Sequence, residues 1–313
     1  MVNRKPAASR SLQGEARDKR AKHGSLVANK VSKVRVIRYG KAAAAFVEWL
    51  DQFGCRNATS WDELDIQAAC WLETLWADGR QKTLAADSLS AIQHFLGSKR
   101  RLQGSWALLA TWHRLEPAVQ APPLPKVLLF ALCDLAREQN LPELVGYLLI
   151  SFHCYLRPLE LLQVRGTDIW IDRSSSSATV TLMQTKTSRS RGPETITLED
   201  PAVIYWLRRL APKSKELLLN VQPPHLRKWF MESLCRMGVK ERFLLYSLRR
   251  GGATADFLQH HDAARCLLRG RWKDIRTFSL YLRAPEALKL AESYRAAAEV
   301  EQRAKRFQLQ PYW

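Results

Sequence analysis

Acidic residues are scarce: 30 Asp and Glu stand against 49 Lys and Arg in 313 residues, a formal net charge of +19 with a pI near 10. An imbalance of this size calls for a polyanionic partner, nucleic acid before membrane. The six cysteines (Cys55, Cys70, Cys133, Cys154, Cys235, Cys266) include no CxxC pair and no histidine at metal-ligand spacing, so they are expected to be reduced core thiols. A spanning segment is missing too. The longest uncharged apolar run near the middle, Leu144 to Leu156, falls short of the ~18 to 20 residues that cross a bilayer. No secretory hydrophobic region opens the chain, and the expectation is an intracellular, soluble protein with no membrane partner. Proline and glycine are few, 14 each, while 46% of residues are hydrophobic, which favours folded material long enough for two domains. No internal repeat is present.

The positive charge is concentrated at the front. Residues 1–41 hold twelve Lys and Arg against Glu15 and Asp18, a net +10, leaving +9 for the rest. Without a sustained apolar period, residues 1–39 read as a flexible basic tail that touches phosphates without reading sequence, or as a solvated or targeting tail. From 40 to 117 the pattern is helical: "KAAAAFVEWLDQFG", "SWDELDIQAACWLETLWADG", "TLAADSLSAIQHFLG" and "GSWALLATWHRLEP" make a four-helix bundle with glycine stops. Its six tryptophans (Trp49, Trp61, Trp71, Trp76, Trp106, Trp112) recur at helical spacing and read as core. "EPAVQAPPLPK", 116–126, reads as an extended interdomain linker.

Beyond the linker, "KVLLFALCDLAREQN" and "PELVGYLLISFHCYL" look like buried helices. "SATVTLMQT" and "ETITL" then flank the polar turn "KTSRSRGP", a hairpin signature, before helices resume to the end. The expected class is mainly α with a small β-sheet, an α+β fold. Within "LLYSLRRGGAT", 244–254, Ser247 reads as an N-cap that puts Arg249 in a first helical turn, where free N–H groups favour an anion. Arg249 and Arg250 lie ~100° apart on a helix, which predicts that only one faces a ligand. Gly251 and Gly252 make sense where another backbone comes close.

Together these stretches resemble the catalytic domain of the tyrosine recombinases, the phage-integrase family of DNA breaking and rejoining enzymes. "YLRPLELLQVRGTDI" looks like the first arginine box, with Glu160 three residues after Arg157. "YSLRRGGAT" looks like the second, normally His-x-x-Arg. "GRW" followed by "LY" looks like the His/Trp and nucleophile positions, at intervals of 23 residues from Arg249 to Trp272 and nine from Trp272 to Tyr281. The resemblance covers about 120 to 300 by motif. It implies a SAM-like helical core-binding domain at 40–117 that contacts DNA, a catalytic domain at 118–300 and a C-terminal tail at 301–313. Tyr281 becomes the nucleophile, forming a covalent 3′-phosphotyrosyl intermediate. Arg157 and Arg249 stabilise the five-coordinate phosphorus, Trp272 donates its indole N–H or packs against the nucleophile's helix, and Lys186 protonates the departing 5′-hydroxyl. Arg189 and Arg191 are alternatives to Lys186, and Tyr294 is the alternative to Tyr281. A salt bridge from Arg157 to Glu160 or Asp168 is the plain structural reading of that arginine. Lys41, Arg189, Arg191, Arg250 and Arg271 are the expected DNA-backbone contacts, His260 and His261 surface or capping residues. No metal or cofactor is implied.

One position departs from the family: Tyr246 stands where histidine is usual, and a phenol of pKa near ~10 is a poor base near pH 7. Tyr246 either positions the phosphate while the arginines lower the nucleophile's pKa, or marks a slow or retired relative. Three functions therefore stay open: a site-specific recombinase or integrase acting as a homo-oligomer, a tetramer on double-stranded DNA; a DNA-binding relative that does not cleave; and a type IB topoisomerase-like relaxase. "AESYRAAAEVEQRAKRF" is an amphipathic helix suited to docking on a neighbouring protomer or on its own domain. The expected location is intracellular and DNA-associated, the nucleus in a eukaryote.

Overall fold

The computed structural model describes residues 17, 20, 21 and 30–310, apart from 56, 98–100, 118, 173, 175, 184, 186–191 and 211–214. The chain divides into two compact units, residues 1–119 and 120–313.

The first unit packs α1 (Lys33–Gln52), α2 (Trp61–Ala77), α3 (Lys82–Phe95) and α4 (Gln103–Leu115) around Phe46, Trp49, Leu72, Leu75, Leu89 and Leu109. α1 starts inside the stretch expected to be tail. Ser32 caps it by accepting from the Arg35 amide, so the alanine-rich helix propagates upstream through an exposed basic turn that shows no apolar period. Trp49, Trp71 and Trp112 are buried, and the Trp71 indole N–H donates to Ser88 at 3.1 Å; Trp76 stays 38% exposed, edge-on to Trp112.

α4 opens at Leu102, which offers no capping side chain. Its free amides are met from α2, where Asp65 accepts from Gly104 N at 2.8 Å, Ser105 N at 2.9 Å and Ser105 Oγ at 2.5 Å. Burial pushes the Asp65 carboxyl up, but these donors outweigh it and hold it below the usual range. Asp65→Ala is therefore expected to lower the first unit's stability by about 1–2 kcal/mol at pH 7. A depressed folded-state pKa stabilises above the unfolded value of ~4, so the gap between wild type and variant should shrink as pH falls below it. Urea unfolding followed by tryptophan fluorescence checks both.

The stretch read as a linker, 116–126, spans the division between the units, and its last residues pack into the second unit. Pro123, Leu124 and Pro125 are buried, and the Leu124 amide donates to the Ser247 carbonyl at 3.0 Å. α5 (Lys126–Glu138) and α6 (Pro142–His153) form the middle of the core with Leu128, Leu132, Tyr147 and Phe152. The sheet is antiparallel in the order β1 (Ile169–Ile171), β2 (Ala178–Leu182), β3 (Glu194–Leu198). Val180 lies between Ile169 and Ile196, and alternate residues of β2 turn inward. β2 and β3 are the expected hairpin; β1, three residues long, gave too short a pattern to be read.

Helices α7 (Pro201–Leu210), α8 (Pro223–Arg236), α9 (Tyr246–His260), α10 (Ala263–Gly270), α11 (Ile275–Ser279), α12 (Ala284–Arg295) and α13 (Ala298–Leu309) follow. α9 crosses α6 so closely that a Cβ on Gly252 would lie 1.9 Å from the Phe152 carbonyl oxygen, and one on Gly251 2.1 Å from that of Leu124. The stretch expected as a terminal tail from 301 belongs to α13, which docks on its own unit. Phe307 stacks on Phe130 at 6.0 Å, and Arg303 and Arg306 reach Asp134 at 3.4 and 2.5 Å. Cys133, Cys154 and Cys266 are buried thiols, but Cys70 and Cys235 are exposed, against the expectation that all are core. Among the described residues no helix is long and apolar enough to cross a membrane.

Candidate active site

Two helix ends and one helix start deliver the site. α6 finishes with Tyr155 in the left-handed region (φ +48°), where the Leu156 amide returns to Ser151 at 3.0 Å and that of Tyr155 to Phe152 at 3.3 Å. This double closure usually employs glycine; tyrosine here accepts backbone strain and turns its carbonyl toward α9. Arg157 follows at once. α10 ends the same way on Arg271 (φ +59°), with the Trp272 amide bonded to Leu267 at 3.1 Å. Gly270 cannot carry a side chain, because a Cβ would lie 1.7 Å from the Trp272 ring.

Arg249 of α9 sits between these two ends and is fully buried. Its Nη1 donates to the Tyr155 carbonyl and its Nη2 to the Gly270 carbonyl at 2.9 Å. The guanidinium carbon lies 4.6 Å from the Trp272 ring centre and 5.3 Å from that of Tyr281. Burial, then the Arg157 and Arg271 charges, push its pKa down. A cation held so by neutral carbonyls and aromatic faces leaves an excess of positive potential that an anion would relieve.

Tyr281 lies in the turn that follows α11, whose N-cap Asp274 accepts from Thr277 N at 2.7 Å. Its own amide bonds to Phe278 at 2.8 Å and its carbonyl accepts from Thr254 Oγ1 at 3.2 Å, which ties it to α9. Its ring lies against Trp272 at 4.8 Å, and its hydroxyl is 2.5 Å from that of Tyr246. Burial pushes the Tyr281 phenol up. The Tyr246 hydrogen bond, the Arg249 charge and donors on Trp272 and Arg249 outweigh it, so Tyr281 ionises below the ordinary tyrosine range. Tyr246 moves oppositely, pushed up to about 12 by burial and by its bond to Tyr281. The 2.5 Å geometry fits either hydroxyl as donor, and the opposite shifts favour Tyr246 as the donor to Tyr281.

Arg157 is half-buried, with Nη1 2.5 Å from Glu160 Oε1 and its amide on Oε2 at 2.9 Å. Burial works against its charge, but Glu160 prevails and raises its pKa; the two phenols add to the effect. Glu160 in turn meets Arg271 Nη2 at 2.8 Å.

No protein-family model and no curated protein sequence matches the chain. Solved structures do resemble it. A lambda integrase dimer bound to a COC′ core site superposes with a TM-score of 0.57 at 12% identity, covering 91% of this chain and 83% of that one. The Tn1549 transposon integrase in complex with transposon right end DNA gives 0.58 at 12% identity, over 90% and 98%. The XerH site-specific recombinase bound to palindromic difH substrate gives 0.51 at 14% identity, over 82% and 78%. The chain has the tyrosine-recombinase fold.

Within this tyrosine-recombinase fold, Arg157, Tyr246 and Arg249 of α9, Trp272 and Tyr281 converge from four separate stretches of chain. Lys186, Arg189 and Arg191 lie outside the described residues. Lys41 is exposed on α1 of the first unit. Arg271, expected on the DNA backbone, is turned inward: its side chain is 8% exposed and bridges Glu160 and, at 3.6 Å, Glu194. Arg250, adjacent to Arg249 on α9, also approaches Tyr281, its guanidinium carbon 5.4 Å from the same ring. Arg250 Nε and Nη1 are buried without an acceptor among the described residues. Ser247 is not the N-cap. It is buried within α9 and accepts from the Leu244 amide at 3.1 Å. Tyr294 is buried and donates to Glu241, remote from this cluster in its partners. His260 lies 3.6 Å from Asp256, and His261 ends α9 in the left-handed region. The residue missed outright is Tyr155. Its only trace in the sequence is a large polar side chain where a glycine stop would be expected.

Proposed function

We propose that the chain is a site-specific recombinase or integrase that cleaves and rejoins double-stranded DNA through Tyr281. The observation that carries this is the setting of Tyr281, whose ring lies 5.3 and 5.4 Å from the Arg249 and Arg250 guanidinium carbons and 4.8 Å from the Trp272 ring. The Tyr281 oxygen attacks a DNA phosphorus; the Tyr281 O–P bond forms and the P–O5′ bond breaks. The departing 5′-oxygen takes a proton from Lys186. The Arg157 and Arg249 guanidinium groups, with the spare Arg250 donors, offset charge on the non-bridging oxygens. The 3′-phosphotyrosyl bond preserves the ester for attack by a free 5′-hydroxyl, which reverses each step. Arg189, Arg191 and Lys41 hold the DNA backbone, while Arg271 braces Glu160 and through it Arg157. The similar structures are DNA-bound by their own descriptions, one of them as a dimer, which supports a homo-oligomer on DNA; the full reaction is proposed to use a tetramer, in an intracellular, DNA-associated protein.

The test uses a pool of nicked duplexes of randomised sequence, from which the cleaved fragment diffuses away and leaves the adduct trapped. Wild-type protein is expected to yield a denaturant-resistant protein–DNA band that Tyr281→Phe abolishes and Tyr294→Phe keeps. Salt-sensitive duplex binding with no band on any duplex would instead indicate a binding protein without cleavage.

A further inference from the structure

The position that departs from the family pattern sits in direct contact with the nucleophile. Tyr246 opens α9 and its hydroxyl meets that of Tyr281 at 2.5 Å, with ring centres 6.0 Å apart. Both phenols are half-buried, so water competes little for this bond. Building on the strand-cleavage reading, we propose that Tyr246 is a positioning residue that acts through Tyr281, donating its hydroxyl hydrogen to the Tyr281 oxygen whenever that oxygen is charged.

Two such moments occur. Before attack, the hydrogen bond holds the phenolate toward the phosphate. On rejoining, the Tyr281 oxygen leaves phosphorus as a phenolate, and the same donor stabilises it as a leaving group. Tyr246 keeps its proton throughout; the proton lost by Tyr281 before attack goes to solvent. Burial and its bond to Tyr281 push the Tyr246 phenol up to about 12, which disfavours the phenolate that a base role near neutral pH would need.

Every element against the pair contributes to the asymmetry. α9 supplies Arg249 and Arg250, the chain after α6 supplies Arg157 with Glu160 on it, and the turn after α10 supplies Trp272 and Arg271. Arg283 and Glu286, at the start of α12, act on Arg250. The cations favour an ionised phenol at either position. The balance falls toward Tyr281, which has Tyr246 at hydrogen-bond distance and the Arg249 and Trp272 groups beside its ring, whereas burial and its bond to Tyr281 weigh more at Tyr246 than the Arg249 and Arg157 charges.

Two readouts on the full chain decide this. The first is a pH titration of the 13Cζ resonances of labelled tyrosine, assigned with Tyr246→Phe and Tyr281→Phe among the eight tyrosines. In wild type, Tyr281 should ionise below and Tyr246 above the free-tyrosine value, and Tyr246→Phe should raise Tyr281 by about one to two pH units. The second is the pH profile of adduct formation and of rejoining. Both should move to alkaline pH in Tyr246→Phe and slow roughly tenfold to a hundredfold near neutrality. A purely structural role would lower the rates without moving the profiles, and an unmoved Tyr281 titration would overturn the proposal. Should Tyr246→Phe fail to fold, Tyr246→His, whose imidazole N–H can also donate, is expected to keep Tyr281 low; a reversed order of the two wild-type titrations would overturn the proposal by itself. Absence of any adduct with wild-type protein would sink strand cleavage, while the resonance titration would still decide the tyrosine pair.

Discussion

Gly252→Ala is expected to destabilise the second unit by about 2–4 kcal/mol. Intrinsic propensity argues the other way, since alanine in a helix interior is worth up to ~1 kcal/mol over glycine. Contact decides the sign. The new methyl would stand 1.9 Å from the Phe152 carbonyl oxygen and 2.9 Å from Tyr155 Cδ1, and a backbone group within α6 cannot swing aside as a flexible side chain could. α9 would have to back away from α6, opening the cradle in which Arg249 reaches the Tyr155 carbonyl. Activity should therefore fall together with stability. Gly40→Ala supplies the contrast: that position is helical with nothing within 4 Å, and the same substitution should stabilise by about 0.5–1 kcal/mol. Urea denaturation of both variants measures the opposite signs.

Arg249→Ala should reduce adduct formation about a thousandfold or more, since a single fixed donor to a developing oxyanion is worth roughly a hundredfold to a thousandfold and this residue presents a whole guanidinium. Arg249→Lys should do little better. The guanidinium is fixed by two carbonyls on different helix ends, Tyr155 and Gly270, while lying over the Trp272 ring. A lysine ammonium cannot span both carbonyls and still face a phosphate with a planar fork. Single-turnover trapping on nicked duplexes gives the rates. Retention of more than a tenth of wild-type rate by the lysine variant would show that position and charge suffice without the fork.

What the sequence made legible follows from the range of the forces involved. The glycine pair after the arginines spoke of a close approach and the structure supplies it, because steric exclusion at a helix crossing leaves a direct mark on residue type. The order of the boxes was readable for a similar reason: each functional side chain sits at or beside a helix end. That Tyr281 comes within reach of both Arg249 and Arg250 was not legible, because a helical wheel describes one element and Tyr281 comes from another. Arg271 was misread because its partners, Glu160 and Glu194, are distant in sequence; a lone basic residue beside a motif gives no sign of facing inward. The helix start at Lys33 was lost where charge masks the apolar period, and the expected tail boundary at 301 falls inside a helix. In α13 Val300, Ala304 and Phe307 are buried; the stripe marked a docking helix, but only the structure shows that it docks on its own unit.

The central claim is that Tyr281 joins covalently to DNA, and mass spectrometry of the trapped adduct after trypsin digestion tests it most directly. Cleavage after arginine and lysine puts the three relevant tyrosines in different peptides: Tyr246 in "FLLYSLR", Tyr281 in "TFSLYLR" and Tyr294 in "LAESYR". The account predicts a phosphonucleotide on "TFSLYLR" alone, at Tyr281. Attachment to either of the other two peptides, or to a serine, would contradict it.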